Sequence, residues 1–190
     1  MASKDELVAK VAGMARKVAS TASGYGGIFS TLQKDHAEVS SLMTRLAATR
    51  ASDDEQSAHR RDLFETIRSE LLAHASAEET TFYARLKSEP DIFTIIGESI
   101  EDHQRVDDLL EELYRLGTDS LIFDSRFEEL FATVEHHVAE EENRLFPRAK
   151  EALASEEIEA LDDAFKRQKR SMLEGPARGS AYDGAHPPRA

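Results

Sequence analysis

Apolar residues recur at alternating spacings of three and four along most of this 190-residue chain, which is the pattern of amphipathic helices. The pattern is strongest in four long stretches separated by glycine, proline or small polar residues, which commonly end helices. It predicts helices from Gly27 to about Thr49, from about Asp54 to Lys87, from Pro90 to the break at 117–120, and from about Phe123 to Pro147. Four consecutive amphipathic helices with short connections predict an all-α, antiparallel up-and-down four-helix bundle.

Shorter amphipathic segments flank the predicted bundle on both sides. Residues 4–19 carry a narrow apolar stripe, which suits a helix lying across the bundle or a homodimer contact, and three glycines in 20–27 indicate a hinge. Residues 155–173 form an additional C-terminal helix, and the sequence after Gly175 has the composition of a flexible tail. We therefore divide the chain into an N-terminal helix and hinge (1–24), the bundle (25–152), a C-terminal helix (153–174) and a tail (175–190).

Composition and charge restrict the partners and the compartment. The net charge of −13 disfavours nucleic acid and anionic membranes, which both need a basic protein surface. The absence of cysteine excludes disulfides, iron–sulfur clusters and thiol catalysis. No apolar run approaches the roughly 20 residues of a membrane span, and the first residues lack the apolar stretch of a signal peptide. We therefore expect a soluble, cytoplasmic protein with no nucleic-acid partner and no membrane span.

A histidine interrupts the apolar stripe of each of the four predicted helices. Two of these histidines are followed at the fourth position by a glutamate, so an imidazole and a carboxylate project from adjacent turns of the same helix face. The residues are His36, His74 with Glu78, His103, and His137 with Glu141. Burying six such groups without partners would cost several kcal/mol each. A pair of metal ions would satisfy them most simply.

An internal repeat supports this interpretation. The segment 35–42 (DHAEVSSL) resembles 102–109 (DHQRVDDL), and each copy is followed by a helix that carries the His-x-x-x-Glu pair. The bundle would then consist of two similar helical hairpins, each contributing one lone histidine and one His/Glu pair. A pseudo-two-fold axis would run between the two metals.

This ordered set of four histidines and two glutamates resembles the hemerythrin-like (HHE cation-binding) family over about residues 27–150. The resemblance implies a four-helix bundle with a non-haem diiron centre and oxygen-related chemistry. Imidazole suits iron and zinc, and a carboxylate can bridge two divalent ions. We expect Glu78 and Glu141 to bridge two iron ions. One iron would be held by His36 and His74, and the other by His103 and His137.

The sequence departs from the oxygen-carrying members at one position. Those members have a further histidine one turn after the ligand on the third helix, where this sequence has Asp107; the matching position on the first helix is Ser40. We consider Asp107 an additional ligand candidate for the iron that His103 binds. The pattern therefore resembles the non-carrier, often bacterial, members and favours peroxide chemistry over reversible oxygen transport.

Three functions fit these observations. The first is a diiron protein that binds oxygen, hydrogen peroxide or nitric oxide, with catalase-like decomposition of peroxide as a candidate enzymatic activity. The second is a sensor in which metal or oxygen binding alters the docking of the flanking helices. The third is an iron- or zinc-binding module without catalysis, since zinc can substitute for iron in such a donor set.

The remaining polar residues are given structural roles. His59, His136 and His186 are predicted not to be ligands, and Glu79, Glu135, Glu140 and Glu142 are predicted to form a solvated face. Asp35 and Asp102 would either orient imidazoles or solvate their helices. Four phenylalanines are expected to wall the site and keep it dry: Phe29, Phe82, Phe127 and Phe146.

Overall fold

The fold is entirely helical within the residues that the computed structural model describes, 25–49 and 54–175. The α-helices are α1 (Gly27–Ala48), α2 (Asp54–Thr80), α3 (Phe82–Leu86), α4 (Pro90–Leu116), α5 (Phe123–Glu140), α6 (Phe146–Ala152) and α7 (Ser155–Glu174), with a π-helical turn at Glu141–Leu145. The predicted all-α bundle is confirmed. The predicted N-terminal helix (4–19) and the predicted tail after Gly175 lie outside the described residues.

Four long helices form the bundle, and the last helix lies outside it. Helix α1 packs against α2 and α5, and α4 packs against α5 and α2, so the four helices enclose a common interior. Helix α7 packs along α1 and α2. No helix in the described ranges is both long enough and apolar enough to span a bilayer.

The two helices predicted to carry the His-x-x-x-Glu pairs are interrupted near the glutamate, one three residues after Glu78 and the other at Glu141 itself. In α2 the hydroxyl of Thr81 donates to the carbonyl of Ala77 at 2.6 Å, and Thr81 leaves the helical region with φ −120° and ψ −76°. Such back-bonding by threonine competes with the backbone ladder and bends helices. In the other helix the π-helical turn precedes Pro147, which has no N–H to donate to the carbonyl four residues earlier.

Two apolar clusters fill the interior, and the histidines lie between them. The first, core A, is built mainly from α1, α2, α4 and α5, and includes Val39, Met43, Ile67, Leu110 and Leu130. The second, core B, includes Phe29, Phe82, Ile96, Phe146 and Phe165. Helices α1, α2 and α4 contribute to both clusters, and the chain that forms α5 reaches core B through the π-helical turn and α6. A single polar layer lies between the two clusters. This arrangement follows from the apolar stripes, which continue on both sides of each histidine.

Candidate metal centre

The four histidines and two glutamates singled out in the sequence form this polar layer, called here the His/Glu layer. His36 comes from α1, His74 and Glu78 from α2, His103 from α4, His137 from α5, and Glu141 from the first position of the π-helical turn. All six side chains are buried, and the most exposed residue, His103, is only 7% exposed. The helical period alone therefore placed these six residues on inward faces at the same depth.

The six side chains form two groups that could each hold a metal ion. One group consists of His36, His74 and Glu141, and the other of Glu78, His103 and His137; within each group the candidate ligand atoms lie within 4.8 Å of one another. Each group thus takes its two histidines from one helical hairpin and its glutamate from the other.

Each glutamate also approaches the other pair of histidines. Glu141 Oε2 is 3.3 Å from His36 Nε2 and 3.5 Å from His137 Nε2. Glu78 Oε2 is 3.5 Å from His74 Nε2 and 3.6 Å from His103 Nε2. Both carboxylates therefore occupy the position between the two groups that a bridging ligand requires.

The donor set fits a pair of cations. Several buried atoms of the layer have no hydrogen-bond partner: Nε2 of His36 and of His74, both carboxylate oxygens of Glu78, and Oε2 of Glu141. Buried polar atoms without partners are costly, and they converge here on the same small space. Imidazole nitrogens with carboxylate oxygens are the donors that iron and zinc take in proteins. The HHE-type pattern and the geometry of its residues thus agree.

A carboxylate lies beside the outer nitrogen, Nδ1, of every imidazole in the layer. His36 Nδ1 is 2.9 Å from Glu142 Oε1, and His103 Nδ1 is 2.8 Å from Glu79 Oε1. The other two contacts are longer, at 3.4 Å from His74 to Asp35 and 3.8 Å from His137 to Asp102. Where the contact is a hydrogen bond, as for His36, His103 and His74, the partner fixes the tautomer so that Nε2 is free to bind metal, and it raises the basicity of the ligand. Asp102 is too distant for a hydrogen bond to His137, whose Nδ1 has no partner among the described residues.

These contacts correct one prediction and decide another. The predicted solvated face includes Glu79 and Glu142, but both contact imidazoles. Glu142 is only 7% exposed and lies against His36. Glu79, whose side chain is 38% exposed, lies against His103. The prediction missed Glu142 because the π-helical turn rotates the residues after Glu140 inward. Asp35 and Asp102 both face the histidine of the neighbouring helix rather than the adjacent one. Asp35 is within hydrogen-bond distance of His74, whereas Asp102, at 3.8 Å, makes no hydrogen bond with His137.

Tyr83 is a residue of the layer that the sequence did not indicate. Its side chain is fully buried, its hydroxyl donates to Glu141 Oε1 at 2.5 Å, and its ring stacks on His103 with centroids 5.6 Å apart. Burial, and then the charges of Glu141 and Glu78, raise the pKa of Tyr83 well above its usual value. The helical period predicts that Phe82 points inward. The break at Thr81 turns the neighbouring Tyr83 inward as well, so that both side chains are buried.

The electrostatic environment of the layer shifts the pKa values of the two glutamates in opposite directions. Burial opposes protonation of His36, but hydrogen bonds to Glu141 and Glu142 outweigh it and raise the pKa of His36 to about 10. Burial followed by repulsion from Glu141 raises the pKa of Glu78. Burial also disfavours ionised Glu141, but His137 and the hydrogen bond from His36 outweigh it and lower its pKa. Without metal, the layer therefore balances its charges with protons that binding of cations must displace.

The other candidate residues belong to neither group. Asp107 is half-buried on α4 and belongs to neither group. Ser40 is buried and donates to Glu135 at 3.0 Å. His59 and His136 are exposed, whereas His186 lies outside the described residues.

A small cavity of about 30 Å³ adjoins the imidazoles on the side of core A. Its walls are the four histidines, Asp35 and six apolar residues: Val39, Leu71, Ala75, Val106, Val134 and Val138. This volume admits one or two water-sized molecules. The cavity is therefore too small for a larger organic substrate.

Comparisons with known proteins agree with this geometry. The chain is 32% identical over 155 residues to a DNA nickase from Nostoc sp. (strain PCC 7120), which covers 78% of this chain but only 42% of that relative. The structure matches a crystal structure of a hemerythrin HHE cation-binding domain-containing protein from Mycobacterium kansasii with a TM-score of 0.67. That match has 20% sequence identity and covers 78% of this chain and 88% of the other, and it shows the shared fold. The family model of the hemerythrin HHE cation-binding domain matches residues 27–149, so the chain belongs to this family of metal-binding domains.

Proposed function

We propose that the protein holds two iron ions in the His/Glu layer and that this non-haem diiron centre reacts with oxygen, hydrogen peroxide or nitric oxide. The ligands are His36, His74, Glu78, His103, His137 and Glu141. The observation that carries the proposal is the pairing of two three-residue groups through two glutamates that each approach both groups. Bound iron would supply the one-electron redox changes that peroxide chemistry needs, which zinc cannot supply.

The surrounding residues favour decomposition of peroxide as the reaction. The small cavity excludes larger reductants and most water from the layer, and its valines leave room only for a small ligand. Tyr83 keeps a proton on its hydroxyl beside Glu141, at 2.5 Å. The carboxylates on the outer imidazole nitrogens make the histidines stronger donors, which favours oxidised iron. Asp107 stays a candidate for an additional ligand.

Metal analysis, an absorbance spectrum and an oxygen-electrode assay with hydrogen peroxide test this proposal together. We expect two irons per chain, an absorbing protein and release of oxygen from peroxide. The variant Glu141→Ala should lose most bound iron and this activity, because it removes the shared carboxylate. The matched variant His136→Ala changes an exposed histidine on the same helix and should behave as the wild type. A colourless protein with two zincs and no turnover would instead support the non-catalytic module.

The Nostoc relative suggests a second candidate, metal-dependent nicking of DNA. Paired metal ions do cleave phosphodiesters elsewhere, and the similarity extends over 155 residues. Two observations weigh against it: the net charge of −13 opposes DNA binding, and the His/Glu layer is buried beyond the reach of a phosphate backbone. Relaxation of supercoiled plasmid by the iron-loaded protein, abolished in Glu141→Ala, would favour nicking over peroxide decomposition.

A further inference from the structure

Helix α7 lies outside the part of the chain that matches the family, yet it contacts the His/Glu layer. The family match ends at residue 149, and α7 begins at Ser155. Phe165 of α7 is fully buried and meets the His74 ring edge-on, with centroids 5.6 Å apart. The start of α7 also fits closely against Gly27, where an added Cβ would lie 2.6 Å from Ile158 Cγ2. The helix is therefore fitted closely to α1 and α2.

Lys169 of α7 joins this helix to the carboxylate behind His74. Its ammonium group is 2.7 Å from Asp35 Oδ2 and 2.9 Å from Glu70 Oε2, and its side chain is only 13% exposed. The same Asp35 oxygen is 3.4 Å from His74 Nδ1. A largely buried lysine between two carboxylates is held by charge-assisted hydrogen bonds. A continuous chain of contacts thus runs from α7 through α1 to a candidate ligand on α2.

We propose that Lys169 is a positioning residue of the metal centre: by fixing Asp35 it holds the His74 imidazole with Nε2 directed at the metal. The inference rests on the proposed function, since it requires His74 to be a ligand. Its physical basis is the carboxylate–histidine–metal arrangement, in which the outer partner sets the tautomer and the ring orientation. Helix α7 is then a part of the metal site that lies beyond the residues matched by the family model.

The other hairpin lacks this support, so the two metal positions differ. Asp102, the counterpart of Asp35, is 3.8 Å from His137 Nδ1 and its side chain is 23% exposed. In the described part of the chain no lysine or arginine pairs with Asp102. Asp102 instead borders an open groove of about 350 Å³ whose lining includes His136 and Arg144. The position held by His36 and His74 is therefore the firmly supported one, and the position held by His103 and His137 is the looser one.

Zinc titration of the full chain against a competing chelator tests the proposal. The wild type should bind two zinc ions with different affinities. Lys169→Met should weaken one of the two by about 10-fold, at the low end of the effect of removing an outer partner of a metal-binding histidine. Lys169→Arg should restore most of that affinity because it keeps the positive charge. Lys166→Met is the matched control, since Lys166 lies on the same helix and pairs only with groups of α7.

A second measurement separates positioning from general stability. In the zinc-loaded protein, the nitrogen-bound proton at Nδ1 of each ligand histidine can be followed by ¹H–¹⁵N NMR. Lys169→Met should shift the His74 signal and leave that of His137 in place. Unchanged zinc affinities with an unchanged His74 signal would overturn the proposal while leaving the metal site intact. Equal weakening of both zinc ions with shifts at all four histidines would also overturn it. Failure of the wild type to bind two zinc ions would instead count against the proposed function.

Discussion

At the scale of single residues, the two hairpins share an extended pattern that includes the outer carboxylates. Each has an Asp-His pair on its first helix and a His-x-x-x-Glu-Glu run on its second. The aspartate faces Nδ1 of the histidine on the second helix of the same hairpin. The second glutamate of the run places Oε1 2.8–2.9 Å from Nδ1 of the lone histidine in the other hairpin. Every imidazole therefore faces a carboxylate, although Asp102 alone is too distant for a hydrogen bond. None of these carboxylates belongs to the two candidate metal groups.

Glu142→Gln tests the importance of this outer ring of carboxylates. The amide keeps the size of the side chain and can still accept a hydrogen bond from His36 Nδ1, but it removes the negative charge. We expect metal affinity to fall by about 10-fold, the lower end of the range for such partners. Glu140→Gln is the control, because Glu140 pairs with Arg144 at the surface rather than with a histidine. Equal metal affinities in the two variants, measured by competition with a chelator, would contradict this role.

At the scale of elements, the bundle places its irregularities next to the bridging positions. The break at Thr81 follows Glu78 by three residues, and the π-helical turn begins at Glu141 itself. Single-turn π-bulges inside α-helices often occur at functional sites. Here the first interruption brings Tyr83 into the layer and the second brings Glu142 into it. At the opposite end of the bundle, a buried arginine links two of the connections between helices.

That arginine, Arg60, connects the helices at the end remote from the His/Glu layer. It is 3% exposed, donates to the carbonyls of Thr118 and Thr49, pairs with Asp124, and lies over the ring of Phe123 at 5.0 Å. The residue thus satisfies carbonyls in two different connections between helices.

Arg60→Met should lower the free energy of unfolding by about 2 kcal/mol, because it leaves buried carbonyls without donors. Metal content should not change, since the substitution is far along α2 from His74. Denaturant unfolding followed by circular dichroism checks the first expectation, and metal analysis checks the second. Arg61→Met is the control, because the Arg61 side chain is 55% exposed and its pair with Asp119 is superficial. Similar stabilities for the two variants would show that Arg60 contributes nothing beyond a surface pair.

At the scale of the whole molecule, a polar layer divides the interior into two apolar cores. Core A and core B are joined through buried imidazoles and carboxylates, several of whose inner atoms have no protein partner. Cations bound by these residues would cross-link the chain segments that carry them. Metal and fold should therefore be thermodynamically linked.

Removal of metal by a chelator should accordingly lower the melting temperature. A ligand present at 100 times its Kd stabilises the folded state by about 2.7 kcal/mol, which corresponds to roughly 5–10 °C for a domain of this size. Differential scanning calorimetry with and without added metal measures the shift. His136→Ala should show the same shift as the wild type, whereas Glu141→Ala should show little. Identical melting of the metal-free and metal-loaded wild type would mean that the layer is stable without cations.

The sequence by itself determined the bundle and the composition of its polar layer. Helical periodicity is a local property, so the stripe that contains Leu32, His36 and Val39 already indicated that His36 points inward at a known depth. The i, i+4 spacing of His137 and Glu141 likewise placed both groups on one face, and the repeat showed that the halves are alike. These inferences needed no knowledge of how the helices pack.

The tertiary structure alone decided which groups support the layer. The pairing of His36 with Glu142 spans 106 residues, and that of Lys169 with Asp35 spans 134. Such contacts depend on the rotation of each helix and on where it breaks. The apolar period reveals neither the hydroxyl of Thr81, which competes for a backbone carbonyl, nor the effect of Pro147, which lacks an N–H. The inward turn of Tyr83 and the support of His74 by α7 therefore became apparent only in the folded molecule.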